Sequence, residues 1–512
     1  MAGADICGFQ GDTNPELCAR WISAGAFYTF TRNHNTYGAA PQELYRWPDV
    51  ANAARAALRL RYRLLPYLYS SHYGAAVWGG SVAKPLFFAD PGDRAAHDAS
   101  SQWLLGWSLL VSPSLSPSSN AVQAYFPVGR WYPLEDLLAA SPGVTGGGGD
   151  AGNITVVGPA RQEAAAPLEA APPLHVRGGG VVPLQRHAPT TRAARRTPAT
   201  LALALQRPAP ERGSGAARRA WDEGVPPYCS GRVTARRLPG GALAACGIWY
   251  LDDGESPEVT GPGSVLIWYT SVASSDGSSG DLTAEAARPT PAAAAAAAAA
   301  RAATGISGKP APTGAAPRDA AEGLTYEAVV IAGLPPLTGD GNQDGTDDDS
   351  SDGDTEEGND GGGGEGDPGG GGDEAAGAAP EGDGEDGGDG GAAATNATAA
   401  AAPAGGAAQQ PDAAGATYSV AIGNATGPLA PVDPQSVNWD AGRGVLRISG
   451  LQLPVGAGFR LTWQPAMPPP GAAPPAVAPS AAPPSAAPPS PALPSAAPPS
   501  AAGPRRAAPA MA

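Results

Sequence analysis

Long apolar runs are missing from this chain of 512 residues. No stretch of about 18 or more apolar residues occurs, so no segment is fitted to cross a membrane as a helix. Basic charge is short: 32 Lys and Arg face 48 Asp and Glu, and the net charge of -16 argues against nucleic-acid binding. Much of the acid sits in one run, so this charge does not describe the folded part. Cysteine is sparse, at Cys7, Cys18, Cys229 and Cys246. No C-x-x-C pair occurs and the intervals between cysteines do not suit zinc, so neither a metal nor another cofactor is expected. Four cysteines also fit two local disulfides. Aromatic residues are only 6% of the chain, while 71 Gly and 57 Pro make up a quarter of it. That mixture marks part of the chain as low-complexity. A signal-peptide pattern is also missing from its start.

What is present centres on residues 3–35, GADICGFQGDTNPELCARWISAGAFYTFTRNHN. A short apolar run ends in Asp5, and a loop follows over 7–13. Asn14, Pro15 and Glu16 read as a helix N-cap, a proline at the first helical position and an early acid. Leu17, Trp21, Ile22 and Ala24 then recur at helical spacing, and Gly25 stops the helix. Residues 26–30 read as a short aromatic-rich strand ending in Arg32, Asn33, His34 and Asn35. Polar residues at C-terminal strand ends, with a helix between the strands, are how a (β/α)8 barrel builds an active site. Over 50–76 an apolar stripe at helical spacing predicts a long helix, kinked by Pro66.

These segments resemble glycoside hydrolase family 31, the α-glucosidase family. The likeness rests on GADICGF (3–9), GAFYTFTRNHN (25–35), QELYRWP (42–48), RYRLLPYLY (61–69), PLFFADP (85–91) and YFPVGRWYPL (125–134), together with the cysteines at 7 and 18. The resemblance implies that the first two blocks are the seventh and eighth barrel strands. It pairs Cys7 with Cys18 in a disulfide beside the pocket. It assigns His34 to a sugar hydroxyl, Asp5 to the pocket lining and Phe9 to the border of the sugar. Arg32 and Asn33 are expected to be structural, as a charge-paired arginine and a strand-end cap. Asp5 is otherwise readable as a cap of the disulfide loop, His34 without the resemblance as a structural residue, and Asp12 and Glu16 as surface and helix-start acids. Family members use an Asp nucleophile in a motif like W-x-D-M-N-E and a second Asp as acid/base. Neither motif occurs here, so no catalytic residue is assigned to this chain. The expectation is a piece of a retaining α-glucosidase, inactive alone, with an α-glucoside as its partner and no prediction of oligomeric state.

The expected fold is the last two βα units of a TIM barrel, followed by two antiparallel β-sandwich domains, a long disordered insertion and a tail. The barrel part spans 1–79 and the proximal sandwich 80–185. The distal β domain is split into 186–271 and 416–466 by a low-complexity acidic, Gly- and Ala-rich insertion over 272–415, and a Pro-rich tail covers 467–512. A Gly-rich floppy loop is expected over 143–171. Asp252, Asp253 and Glu255 read as a hairpin turn and strand cap rather than a metal site, because Asp-Gly is a strong turn signal. Asp340, Asn342, Asp344, Gly345 and Asp348 approach a calcium-loop spacing, but Ser351 stands where the loop needs Glu; a solvated acidic linker is the expectation. Sequons at Asn153, Asn396 and Asn424 agree with a secretory route, lumenal, lysosomal, vacuolar or secreted. Two other functions stay open: a non-catalytic carbohydrate- or partner-binding β module, and a wall-associated structural protein suggested by the tail.

Overall fold

The structure, a computed structural model, describes residues 2–88, 91–139, 155–206, 229, 242–254, 263–275, 277–289, 321–334, 417–440 and 443–466. The acidic run, the alanine run at 292–300, Glu255, Asn153, Asn396 and the tail lie outside the described residues. No described helix is long and apolar enough to cross a membrane.

Three helices open the chain: α1 (Pro15–Gly25), α2 (Pro48–Arg63) and α3 (Leu65–Trp78). Asn14 caps α1 by accepting from the Leu17 N–H at 2.9 Å. The predicted long helix breaks at Leu64 between α2 and α3. Pro66 has no N–H to give to the Tyr62 carbonyl, so helical hydrogen bonding cannot run on through that turn. Residues 26–30 are not the expected strand. They continue from α1 as turns, with the Phe27 N–H bonded to Ala24 and the Tyr28 N–H to Gly25. What survives of parallel pairing is one bridge, Ile6 to Asn33.

The β part follows in chain order: β1 (Ala83–Lys84), α4 (Arg94–His97), β2 (Trp103–Leu105), β3 (Leu109–Val111), β4 (Ala121–Pro133), α5 (Leu134–Ala139), β5 (Val156–Ala165), β6 (Leu174–Arg177), β7 (Val181–Gln185), α6 (Thr191–Ala194) and β8 (Ala199–Ala204). Then come β9 (Leu243–Leu251), β10 (Val265–Ala273), β11 (Gly280–Ala287), β12 (Thr325–Ala332), β13 (Tyr418–Gly423), β14 (Ala430–Pro431), β15 (Val437–Asp440), β16 (Val445–Pro454) and β17 (Phe459–Pro465). The strands form sheets ordered β1-β2-β3-β6-β4-β5, β14-β13-β17-β11-β10-β9 and β15-β16-β12-β8-β7. Side chains of the second and third sheets meet in one buried cluster around Leu201, Trp249, Ile267, Tyr326, Ile331 and Trp463.

Four expectations are corrected here. Residues 156–165 are a strand paired with β4 and not part of a floppy loop; apart from Val156 the strand is half-buried or exposed, so the pairing with β4 is what orders it. The segment 272–415 is not all low-complexity insertion, because β11 and β12 lie within it and Tyr326, Val329 and Ile331 are fully buried. Their small, Ala-rich flanks hide the strand pattern. The boundary at 185/186 cuts a sheet, since β7 pairs with β8. Pairing is also not wholly antiparallel, for β12 and β8 run parallel.

The helices are packed on these sheets. Ala26, Phe27, Leu64 and Tyr67 share a buried cluster with Leu105, Leu109, Val176, Val182, Ala202 and Val330. Tyr73 of α3 stacks on Tyr250 of β9, with ring centroids 4.2 Å apart. Asp252, at the end of β9, accepts from the Tyr69 hydroxyl, the Arg195 guanidinium and the Gly254 N–H. The Gly254 N–H makes Asp252 the strand cap expected, but Leu251 pairs with Val265, so the connection 252–264 is too long for the tight hairpin that the Asp-Gly pair suggests.

Candidate functional site

The polar cluster near the chain start is built on α1. Cys18, Ala19 and Ile22 on its buried side pack with Ile6 and Cys7 and with Val50, Ala53 and Ala54 of α2. Gly25 is required there: a Cβ would stand 2.5 Å from Ile6 Cγ1. Glu16 pairs with Arg20 at 2.6 Å and accepts from the Ser118 N–H; these bonds, Ser118 first, hold its carboxyl below the usual range. The buried Arg20 also reaches Ser114 Oγ at 3.2 Å and the Ser119 carbonyl at 3.0 Å. Glu16 is therefore a helix-start acid that also ties α1 to the first sheet.

The loop after Asp5 turns sharply. The Gly8 N–H returns to the Asp5 carbonyl, and Cys7 takes a positive φ of 71°. A side-chain-bearing residue in that region is strained and must be held by its surroundings. Cys7 is joined to Cys18 by a disulfide, as the resemblance implied, and Cys229 is joined to Cys246. Gln42 supplies the second restraint. Its buried amide reaches the Ile6 and Gly8 carbonyls at 3.1 Å each and Asn33 Oδ1 at 3.0 Å, while Asn33 Nδ2 donates to the Gln42 carbonyl at 2.9 Å. Backbone bonds from Ile6 N to Arg32 O and from Thr36 N to Phe9 O, both 2.8 Å, complete the join.

This scaffold presents the three residues singled out by sequence. Phe9 and His34 are both exposed, and their rings lie 5.5 Å apart. Asp5 is half-buried and paired with Arg32, at 2.7 Å to Nη2 and 2.8 Å to Nε. Arg32 in turn lies over the Phe30 ring, 5.6 Å from its centroid. Arg32 is thus the charge-paired arginine expected, and Asn33 closes the loop by bonding Gln42. Asp12 does more than sit on the surface: it accepts from the Ala40 N–H at 2.7 Å. Among the described residues, no cluster of His, Cys, Asp and Glu suits a metal ion.

Sequence reasoning missed two supports. Gln42 was quoted only as part of a motif, and nothing in its neighbourhood signals a side chain that bonds three distant groups. Arg61 stands in the sequence only inside the helical block 61–69. Its Nη1 in fact donates to the Ala26 and Tyr28 carbonyls at 2.6 and 2.7 Å, holding the turns that replace the expected strand; burial lowers its pKa. A cavity of 390 Å³ lies elsewhere, along α2, lined by Leu44, Tyr45, Ala54, Leu58, Tyr62 and His187 among others; Asp5, Phe9 and His34 take no part in it.

Chemically, the cluster is one wall: an aromatic edge, an imidazole that can donate or accept, and a carboxylate already engaged by a guanidinium. It suits binding a polyhydroxylated ring more than cleaving a bond. A retaining glycosidase needs two carboxylates about 5 Å apart, and Asp5 with its arginine supplies no such pair.

Comparison with known proteins gives likenesses to one enzyme family. Residues 1–71 match the family model described as the glycosyl hydrolases family 31 TIM-barrel domain, and residues 79–182 match the glycosyl hydrolase family 31 C-terminal domain. A probable alpha-glucosidase of Oryza sativa subsp. japonica is 41% identical over 264 residues, covering 52% of this chain and 24% of the relative. The lysosomal alpha-glucosidase of Rattus norvegicus is 41% identical over 228 residues, covering 44% of this chain and 23% of the relative. The chain therefore spans about a quarter of the length of these relatives. In fold it is similar to the glucosidase II alpha subunit, with a TM-score of 0.52 at 18% identity over 90% of this chain and 34% of that one.

Proposed function

Proceeding from this α-glucosidase-like character, typical of glycoside hydrolase family 31, we propose that the chain is the part of a retaining glycoside hydrolase that hydrolyses O-glycosyl bonds of α-glucosides. Residues 1–79 form the last two βα units of its catalytic barrel. The first sheet belongs to the proximal β domain, and the second and third sheets, packed face to face, form the distal one. Asp5, Phe9 and His34 line the sugar pocket. The nucleophile and the acid/base belong to barrel strands that residues 1–71 do not include. Two disulfides among the described residues favour an oxidising, secretory-route setting.

One observation carries the assignment. Asp5, Phe9 and His34 stand around a parallel bridge, Ile6 to Asn33, on two chain segments joined by Gln42. What supports the reading is that Phe9 and His34 follow the two bridged residues in chain order, the side from which barrel enzymes contact substrate. The test is to map the complete transcript, produce the protein it encodes and follow hydrolysis of an aryl α-glucoside. Release of glucose with retained α configuration is expected, with no turnover by residues 1–512 alone. Absence of hydrolysis by the complete protein, or release of β-glucose, contradicts the proposal.

A further inference from the structure

The turn between β13 and β14 reads Asn424-Ala425-Thr426-Gly427. It closes with a hydrogen bond from the Gly427 N–H to the Asn424 carbonyl at 3.1 Å. Asn424 and Thr426 are both exposed. Neither the middle residue nor the one after Thr426 is proline, so the Asn-x-Thr motif is intact. Among the described residues the Asn424 side chain makes no hydrogen bond that a modification would break. The two disulfides favour the oxidising lumen in which such motifs are modified.

We propose that Asn424 carries an N-linked oligosaccharide. The amide Nδ2 bonds to the anomeric carbon of a lipid-diphosphate-linked oligosaccharide. The bond from that carbon to the diphosphate oxygen breaks, the lipid diphosphate leaves with its electron pair, and the amide gives up one proton. The position has a structural consequence. β14 is two residues long and ends the second sheet, beyond β13. Its exposed Ala430 and Pro431 leave an open edge beside the turn. A bulky hydrophilic group there shields that edge from pairing with another chain. The inference rests on the secretory route proposed above and not on hydrolysis.

The whole chain is produced behind a cleavable leader in a eukaryotic secretory host, as wild type and as Thr426→Ala. Secreted and retained pools are both digested, because transfer precedes folding and a poorly folding variant still reports. Peptides are treated with a glycan-removing amidase in heavy-oxygen water. The expected result is conversion of Asn424 to heavy-oxygen-labelled Asp in the wild type and its complete loss in Thr426→Ala, with a mobility shift of one glycan. An unlabelled Asn424 peptide in both pools, while thiol labelling shows the cysteines oxidised, overturns the inference. Where the chain exists naturally, free cysteines would contradict the secretory route instead, so the two failures are separable.

Discussion

Gln42 shows how a single side chain sets the shape of the candidate pocket. Replacing it with Leu removes the donor to the Ile6 and Gly8 carbonyls and to Asn33 Oδ1 at once, while the Asn33 Nδ2 bond to the backbone carbonyl of residue 42 can stay. Each lost partner costs about 1–3 kcal/mol locally. Gln42→Leu is therefore expected to speed amide exchange at Ile6 and Thr36 well before it affects β8; unchanged exchange there would remove Gln42 from the pocket's support. His175 makes a different kind of prediction. Its buried ring packs edge-on against Phe126, its Nδ1 makes no hydrogen bond, and burial lowers its pKa from 6.5 to about 4. The folded state then binds fewer protons than the unfolded state between those values. Stability is present in full above pH 6.5 and is lost as pH falls toward 4, by about 3 kcal/mol in total. Lys84 acts in a separate window. Burial first, then the charge of Arg177, lowers it from 10.5 to about 7, so its penalty grows as pH falls from 10.5 to 7 and is constant below. His175→Leu should flatten melting temperature between pH 6.5 and 4.5, and an unchanged slope would refute the assignment. Asp5, Phe9 and His34 could be singled out from the sequence because they sit in contiguous blocks that resemble a family; their role toward a sugar is the proposal. Gln42 and Arg61 were not, since a side chain bonding distant backbone carbonyls leaves no periodicity.

At the scale of elements, α1 and the α2–α3 break were readable because caps and prolines act locally. Asn14 and Pro66 carry their own signals. Residues 26–30 misled because aromatic richness describes burial as well as strand pairing, and here Phe27 is buried beside turns held by Arg61. β12 was missed for the opposite reason. Its residues alternate between two cores, with Tyr326, Val329 and Ile331 in one cluster and Val330 and Ala332 in another. A strand buried on both faces loses the apolar–polar alternation by which strands are recognised. This gives a sharp test of whether residues 325–332 are core or linker. Val330→Asp puts an unpaired carboxylate into a fully buried site and should cost about 4 kcal/mol or more. A melting temperature within a degree or so of wild type would return the segment to the linker.

For the molecule as a whole, the described residues up to 466 behave as one compact unit and not as a string of separable domains. The cluster around Phe27, Leu64 and Tyr67 is shared with β7, β8, β12 and β16 of the third sheet, and Arg447 of β16 donates to the Leu137 carbonyl in α5 at 2.7 Å. Sequence composition located the domains by where order is lost, which says little about how sheets are shared across a boundary. A separate cluster packs Ile6 and Cys7 of the Asp5–Phe9 loop on α1 and α2, and a fixed loop is what the proposed role in substrate binding requires. The most direct measurement is His34→Ala in the complete enzyme, with kcat/KM on an aryl α-glucoside and thermal melting read on the same preparation. A hydrogen bond to a sugar hydroxyl that strengthens in the transition state predicts a loss of about 1–3 kcal/mol, a fall of roughly 5- to 150-fold in kcat/KM, with melting almost unmoved. A large drop in melting temperature with kcat/KM nearly intact would make His34 a brace for the disulfide loop and contradict the account.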